Sequence, residues 1–112
     1  MASSGSDKDL ADDMRRIGVL RLFDLDDLLI LRCFAIGHNV SATGKVLGLT
    51  QPAISQRVRR MEETFEVELF QRLGQRIEFT PEGKEFSQSA VTLVAAILQY
   101  FWDKLPPGKR PA

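Results

Sequence analysis

Apolar residues recur at three- and four-residue steps through most of this chain, and in one short region the period drops to two. Leu28, Leu31, Phe34 and Ala35 share one helical face, widened by Leu25 and Leu29, until Gly37-His38-Asn39 breaks the run. Asp24 is placed to cap that helix, and Asp27 can answer it three residues on, in the manner of a capping box. Asn39 or Ser41 then caps a shorter helix to Leu47, with Val40, Gly44 and Leu47 facing inward and Gly48 closing it. Thr50 opens a third helix, to about Phe65, because its hydroxyl can accept from a free N–H of the first turn. Pro52 is tolerated there, since first-turn N–H groups have no intrahelical partner. Ile54, Val58, Met61 and Phe65 all point one way, toward a core. Ahead of these elements, Leu10, Met14, Ile17 and Leu20 suggest a short helix over Leu10–Phe23, weakened by Gly18, and Met1–Asp9 reads as a disordered lead.

After Phe65 the alternation becomes strand-like. Glu68–Arg72 and Arg76–Thr80 form two short runs around Leu73-Gly74-Gln75, which predicts a hairpin. Thr80-Pro81-Glu82-Gly83 then starts a last helix to about Leu105, stopped by Pro106-Pro107. Phe86, Ala90, Leu93, Ile97, Phe101 and Leu105 make a seam close to that of a coiled coil, and Val94, Leu98, Tyr100 and Trp102 add apolar surface on other faces. A domain this small has trouble burying such a helix on more than one side, so one side is expected to meet the core and another a second copy. The expected architecture is mainly α. It comprises an extension over 1–23, partly disordered; three helices and a two-stranded wing over 24–80; a long dimerisation helix over 81–105; and an extended tail over 106–112. A helix, a tight Gly-containing turn and a second helix with an exposed polar face make a helix-turn-helix, and a hairpin directly after it makes the wing.

Composition narrows what that polar face can do. At 112 residues the chain supports one core. Net charge is formally zero, but acids crowd the front, whereas Ser41 to Met61 holds Lys45, Arg57, Arg59 and Arg60 with no acid. Local field decides whether a patch meets a polyanion. On the third helix Pro52, Gln56, Arg59, Arg60 and Glu63 lie opposite the apolar stripe, with Gln51 and Ser55 at its flank. Arg57 lies near the edge of the buried stripe and is a weaker candidate for contact. One cysteine and one histidine exclude a disulfide and the usual zinc clusters, and no cofactor is expected. Cys33 reads as a small buried hydrophobe and His38 as a helix C-terminal cap. No nucleophile–base pair or phosphate loop is recognisable, which argues against an enzyme. No run is long and apolar enough for a membrane span, and a reducing, cytoplasmic compartment is expected.

Two blocks carry a family resemblance: Thr50-Gln51-Pro52-Ala53-Ile54-Ser55, and Leu69-Phe70-Gln71-Arg72 followed by Phe79-Thr80-Pro81-Glu82-Gly83. With Asp24-Leu25, Leu28, Leu31, Leu47 and Arg60-Met61-Glu62, the stretch from Asp24 to about Ala90 resembles the N-terminal DNA-binding domain of LysR-type transcriptional regulators. The resemblance implies DNA contact at Thr50, Gln51, Pro52, Ser55 and Gln56, with Arg72 and Arg76 in the wing. Arg72 has an equal alternative as a brace within the wing. Lys45, Arg59 and Arg60 join the set on charge and helical face alone. The last helix is then the linker helix through which two domains dimerise, with Phe86, Ala90, Leu93, Val94, Ile97, Leu98, Phe101, Trp102 and Leu105 as its contact residues. Thr43 and Gly44 replace the paired alanines usual in the second helix, and Asn39 replaces the usual serine at its start. The family's effector-binding domain has no counterpart here, so no small-molecule effector is assigned. The expected function is sequence-specific binding of double-stranded DNA as a homodimer, regulating transcription. The alternative is an interaction module that dimerises with a full-length regulator and modulates it.

Overall fold

The computed structural model describes residues 6–21, 23–74 and 76–111, and all their side chains but those of Val19, Arg72, Arg76 and Ile77. The elements run α1 (Asp7–Val19), α2 (Leu25–Ala35), α3 (Val40–Leu47), α4 (Gln51–Phe65), β1 (Phe70–Leu73), β2 (Arg76–Phe79) and α5 (Pro81–Phe101). The first helix starts earlier than its apolar spacing predicts. Ser6 accepts from the Asp9 N–H, and Asp7 and Asp9 favour the positive end of the helix, so part of the expected lead is helical. Its Leu10, Met14 and Ile17 are each more than half exposed. Met1 to Gly5 lie outside the described residues.

From Asp24 onward the capping chemistry is as the residues imply. Asp24 and Asp27 form a reciprocal capping box, each carboxylate accepting the other's backbone N–H, at 2.9 and 3.2 Å. The helix ends on Gly37 at φ 94°, with the Gly37 N–H on the Phe34 carbonyl and the His38 N–H on the Cys33 carbonyl. That is a Schellman closure, so His38 caps with its backbone. Asn39 caps α3 through the Ala42 N–H, and Thr50 caps α4 through the Ala53 N–H. Ile30, Leu31 and Phe34 of α2 meet Ile54, Val58 and Met61 of α4, with Leu69 and Ala90 completing the core. Cys33 is buried with them, and burial pushes its thiol pKa up, which keeps it an unreactive packing residue.

The wing is shorter than the alternation suggests. Leu69 is fully buried; its N–H donates to the Glu62 carboxylate at 2.8 Å and its carbonyl accepts from the Thr80 N–H at 3.0 Å. Pairing therefore begins at Phe70 opposite Phe79 and runs to Leu73 opposite Arg76, leaving a two-residue tip. Leu73, expected in the loop, belongs to the strand, and Gly74 takes φ 65° at the tip. Phe70 and Phe79 stack at 4.9 Å and meet Phe34 edge-on, fixing the wing to α2. Glu66 ends α4 at φ 53°, a conformation that costs a non-glycine residue about 1 kcal/mol. Glu66→Gly is accordingly expected to raise the thermal midpoint; an unchanged or lower midpoint would mean the left-handed backbone carries no strain.

The last helix departs most from expectation. Its α-helical turn stops at Phe101, Trp102–Lys104 form a 3-10 turn, and Leu105 is extended, as a residue before proline prefers. The tail is not wholly extended, since Pro107–Lys109 make a second 3-10 turn that brings the Arg110 guanidinium onto the Leu105 carbonyl. More consequentially, Ala90 is fully buried in the chain's own core and Phe86 packs against Phe65 and the same core. Ala90 is not free to meet a second chain and leaves the expected dimerisation set; Phe86 is half-buried, with its ring against Phe65. At about 100° per residue, Val94, Ile97 and Phe101 lie within roughly 40° of Ala90. One stripe thus serves the core along its first half and runs past it along its second. Within the single chain, the burial of α5 is therefore confined to its first half, at Gly83, Ser87 and Ala90. Leu93, Leu98 and Phe101 are about half exposed.

Candidate nucleic-acid interface

Two helices and the turn between them present the polar face. Gly44 lies buried where α3 meets the turn, and its carbonyl accepts from the Leu49 N–H at 3.0 Å. Gly48 closes α3 at φ 68°, and Thr50 opens α4 two residues later. This short closure turns Gln51, Pro52, Gln56 and Arg59 outward, all of them exposed, while Ser55 is half-buried beside them. The Thr50 oxygen accepts the capping bond and its O–H remains able to donate. Lys45 is exposed on α3. Arg60 lies half-buried toward the other side of α4, away from Ser55 and Arg59. The backbones of Arg72 and Arg76 flank the wing tip in β1 and β2, but their side chains lie outside the described residues.

Between α4 and the wing runs a groove of about 850 Å³, with Phe34, Val58, Phe70 and Phe79 in its wall and Ser55 and Arg59 on the α4 side. Among the described residues no group of His, Cys, Asp and Glu could hold a metal ion, and no helix is long and apolar enough to cross a membrane.

The cation that sequence reading ranked low turns out to be the best partnered. The Arg57 guanidinium meets Asp24 at 2.8 Å, Asp27 at 3.3 Å and Asp26 at 3.6 Å, all at the start of α2. Asp27 is fully buried, and burial, reinforced by the Asp24 charge, raises its pKa against the hydrogen bonds that it accepts from the Asp24 N–H and Arg57. Asp24 moves the other way. Its partial burial works to raise its pKa, but hydrogen bonds from Arg57 and the Asp27 N–H, with the Arg57 charge, hold it below the ordinary value. The signs oppose. Asp24 contributes stability above its unfolded pKa that is lost as pH falls through the lowered value, whereas Asp27 contributes below its unfolded pKa and loses this as pH rises through the raised one. The signal for this cluster was in the sequence: an acidic triplet-like Asp24-Leu25-Asp26-Asp27, and one arginine at the edge of a buried stripe.

The arrangement has known counterparts. The family model described as the bacterial regulatory helix-turn-helix protein, lysR family, matches residues 25–84. This chain belongs to the LysR family. The HTH-type transcriptional regulator BudR of Klebsiella aerogenes is 35% identical over 72 residues, covering 62% of this chain and 50% of that protein. DarR of Vibrio fischeri, a LysR-type regulator solved in complex with DNA, is 38% identical with a TM-score of 0.54, over 70% of this chain and 26% of that one. The DNA-binding domain of BenM, solved with catB site 1 DNA, superposes at a TM-score of 0.66 over 80% of this chain and all of its own, and at 21% identity it shows the fold alone. The chain spans half or less of the length of the curated relatives it matches first. Those LysR relatives are transcription regulators rather than enzymes, and the winged helix-turn-helix is their DNA-binding unit. In this LysR domain the Gly44–Leu49 turn joins α3 to α4 and leaves one face of α4 exposed.

Proposed function

We propose that this chain binds specific double-stranded DNA sequences as a homodimer and regulates transcription in the cytoplasm. What supports the reading is the exposed face Gln51, Pro52, Gln56 and Arg59 on α4, held by a capped turn in a LysR-family fold. An α-helix fits the major groove, and glutamine suits adenine there. Gln51 and Gln56 take base edges; Thr50, Ser55, Lys45, Arg59 and Arg60 take phosphates, and Arg72 and Arg76 bring the wing to the flanking backbone. Two copies join through the distal half of α5, by Leu93, Val94, Ile97, Leu98 and Phe101, and through Trp102 and Leu105 just beyond it. A two-fold dimer requires an inverted repeat, with half-sites about 34–36 Å apart or a multiple of this.

Selection of bound duplexes from random DNA tests the reading, and an inverted repeat is the expected product. Gln56→Ala is then expected to relax preference at one or two base pairs of each half-site, a discrimination of about 1–3 kcal/mol. Arg76→Ala should weaken all duplexes alike and flatten the dependence on log salt by about 0.9 for each copy bound, about 1.8 for the dimer. If Gln56→Ala instead weakened specific and random DNA equally, the division of roles would be wrong. Salt-sensitive binding to random duplex supports direct recognition. Its absence, with hetero-dimerisation to a full-length regulator, supports the interaction-module alternative.

A further inference from the structure

We infer that Arg57 is a positioning residue for sequence discrimination: its guanidinium, bonded through Nη1 to both Asp24 and Asp27, fixes the roll of α4 about its own axis. The inference rests on the reading that α4 contacts bases. The stripe that seats α4, Ile54, Val58 and Met61, is aliphatic, and such packing resists separation better than rotation. With side chains reaching about 5–6 Å from a helix axis, a roll of about 10° moves their tips by about 1 Å. The whole range of a good N–H···O bond is only about 0.5 Å. Glu62 ties the C-terminal end of α4 to the Leu69 N–H, and base readout through Gln51 and Gln56 needs a directional constraint nearer those residues that the stripe does not supply.

Arg57 supplies it. Its side chain is only 23% exposed, and its Nη1 donates to Asp24 Oδ1 at 2.8 Å and to Asp27 Oδ1 at 3.3 Å. The acceptors are themselves fixed, because Asp24 Oδ1 also accepts the Asp27 N–H and Asp27 Oδ2 accepts the Asp24 N–H. The side chain of Asp27 is 1% exposed and has no room to follow a moving partner. A planar guanidinium holds such acceptors in one geometry, whereas an ammonium is a rotating point charge. The N-terminal cap of α2 thus becomes a fixed reference for the helix that carries the contact residues. Arg57 needs no contact with DNA to do this.

Arg57→Lys separates orientation from charge, because it keeps the cation beside the buried Asp27 and leaves the domain's charge unchanged. Affinity would be measured for the selected inverted repeat and for random duplex across a salt series, with thermal melts to verify folding. The expected result is a loss of about tenfold in the ratio of specific to random affinity, with random affinity and salt slope unchanged. Asp24→Asn is the second variant; asparagine caps a helix as well as aspartate does, so α2 stays capped while the Arg57 anchor weakens. It should shift the ratio in the same direction. A ratio unchanged in both variants overturns the inference while leaving DNA recognition standing. A parallel fall in specific and random affinity for Arg57→Lys also overturns it, by making the guanidinium a direct DNA contact rather than a brace. If the wild-type chain itself prefers no sequence, the reading of α4 fails first and the inference falls with it.

Discussion

Gly44→Ala is expected to cost about 1–3 kcal/mol of stability and to weaken specific DNA binding, although alanine is the better helix former and is the residue that the family resemblance places here. A Cβ built on Gly44 would stand 2.5 Å from the Leu49 carbonyl oxygen, with the Ile54 Cδ1 at 3.5 Å. The first of these is backbone, so no side chain can swing aside. Leu49 cannot simply withdraw either, because its N–H is bound to the Gly44 carbonyl at 3.0 Å. Relief must come from opening the turn between α3 and α4, which carries the Thr50 cap with it. Gly18→Ala in α1 is the control, since nothing lies within 4 Å of its added Cβ. That substitution should be neutral or stabilising by up to about 1 kcal/mol. Denaturant midpoints and fluorescence anisotropy on a labelled duplex read both effects. A Gly44→Ala variant as stable and as tightly binding as wild type would mean that the turn is not a close-packed joint.

The second large effect lies at the other end of the molecule. Ile97→Asp with Phe101→Asp should convert the proposed dimer to a monomer and lower affinity for an inverted repeat by roughly a hundredfold or more, the scale at which joining two sites raises avidity. Phe101 is 58% exposed in the single chain and Ile97 lies beyond the core cluster, so the fold should survive. Binding to one half-site should stay as in wild type. Sedimentation equilibrium with titrations against half-site and full-site duplexes separates these outcomes. A double variant that remains dimeric, or keeps its full-site affinity, would remove the distal half of α5 from the interface.

How much of this was legible beforehand depends on the kind of interaction. The caps at Asp24, Asn39, Thr50 and Thr80 are local, each bonding an N–H three residues on, and they could be read directly. So could the Ile54, Val58, Met61 stripe, because its period is helical. What resisted reading was contact between remote segments. Arg57 and Asp24 are thirty-three residues apart, and neither position announces the other. The wing began two residues late because Leu69 was claimed by Glu62 and Thr80, bonds that alternation alone does not encode. Ala90 fits a coiled-coil seam as well as it fits a core, and only the packing of α5 on α2 decided for the core. At α1 the error was of the opposite kind: a local cap at Ser6 outweighed a polar composition that suggested no structure.

The division of α5 along its length has a metric consequence. Its proximal half is rigidly part of the reading domain, so in the proposed dimer the residues between Ala90 and Phe101 act as a ruler between two reading heads. One residue inserted after Ala90 would turn the distal stripe by about 100° and take it out of phase with its partner. Seven residues would nearly restore the phase while lengthening the arm by about 10 Å, the rise of about three base pairs. In the proposed dimer half-site spacing would thereby be written in helical turns of protein, and an operator could be re-spaced by editing α5 without touching the residues proposed to face DNA.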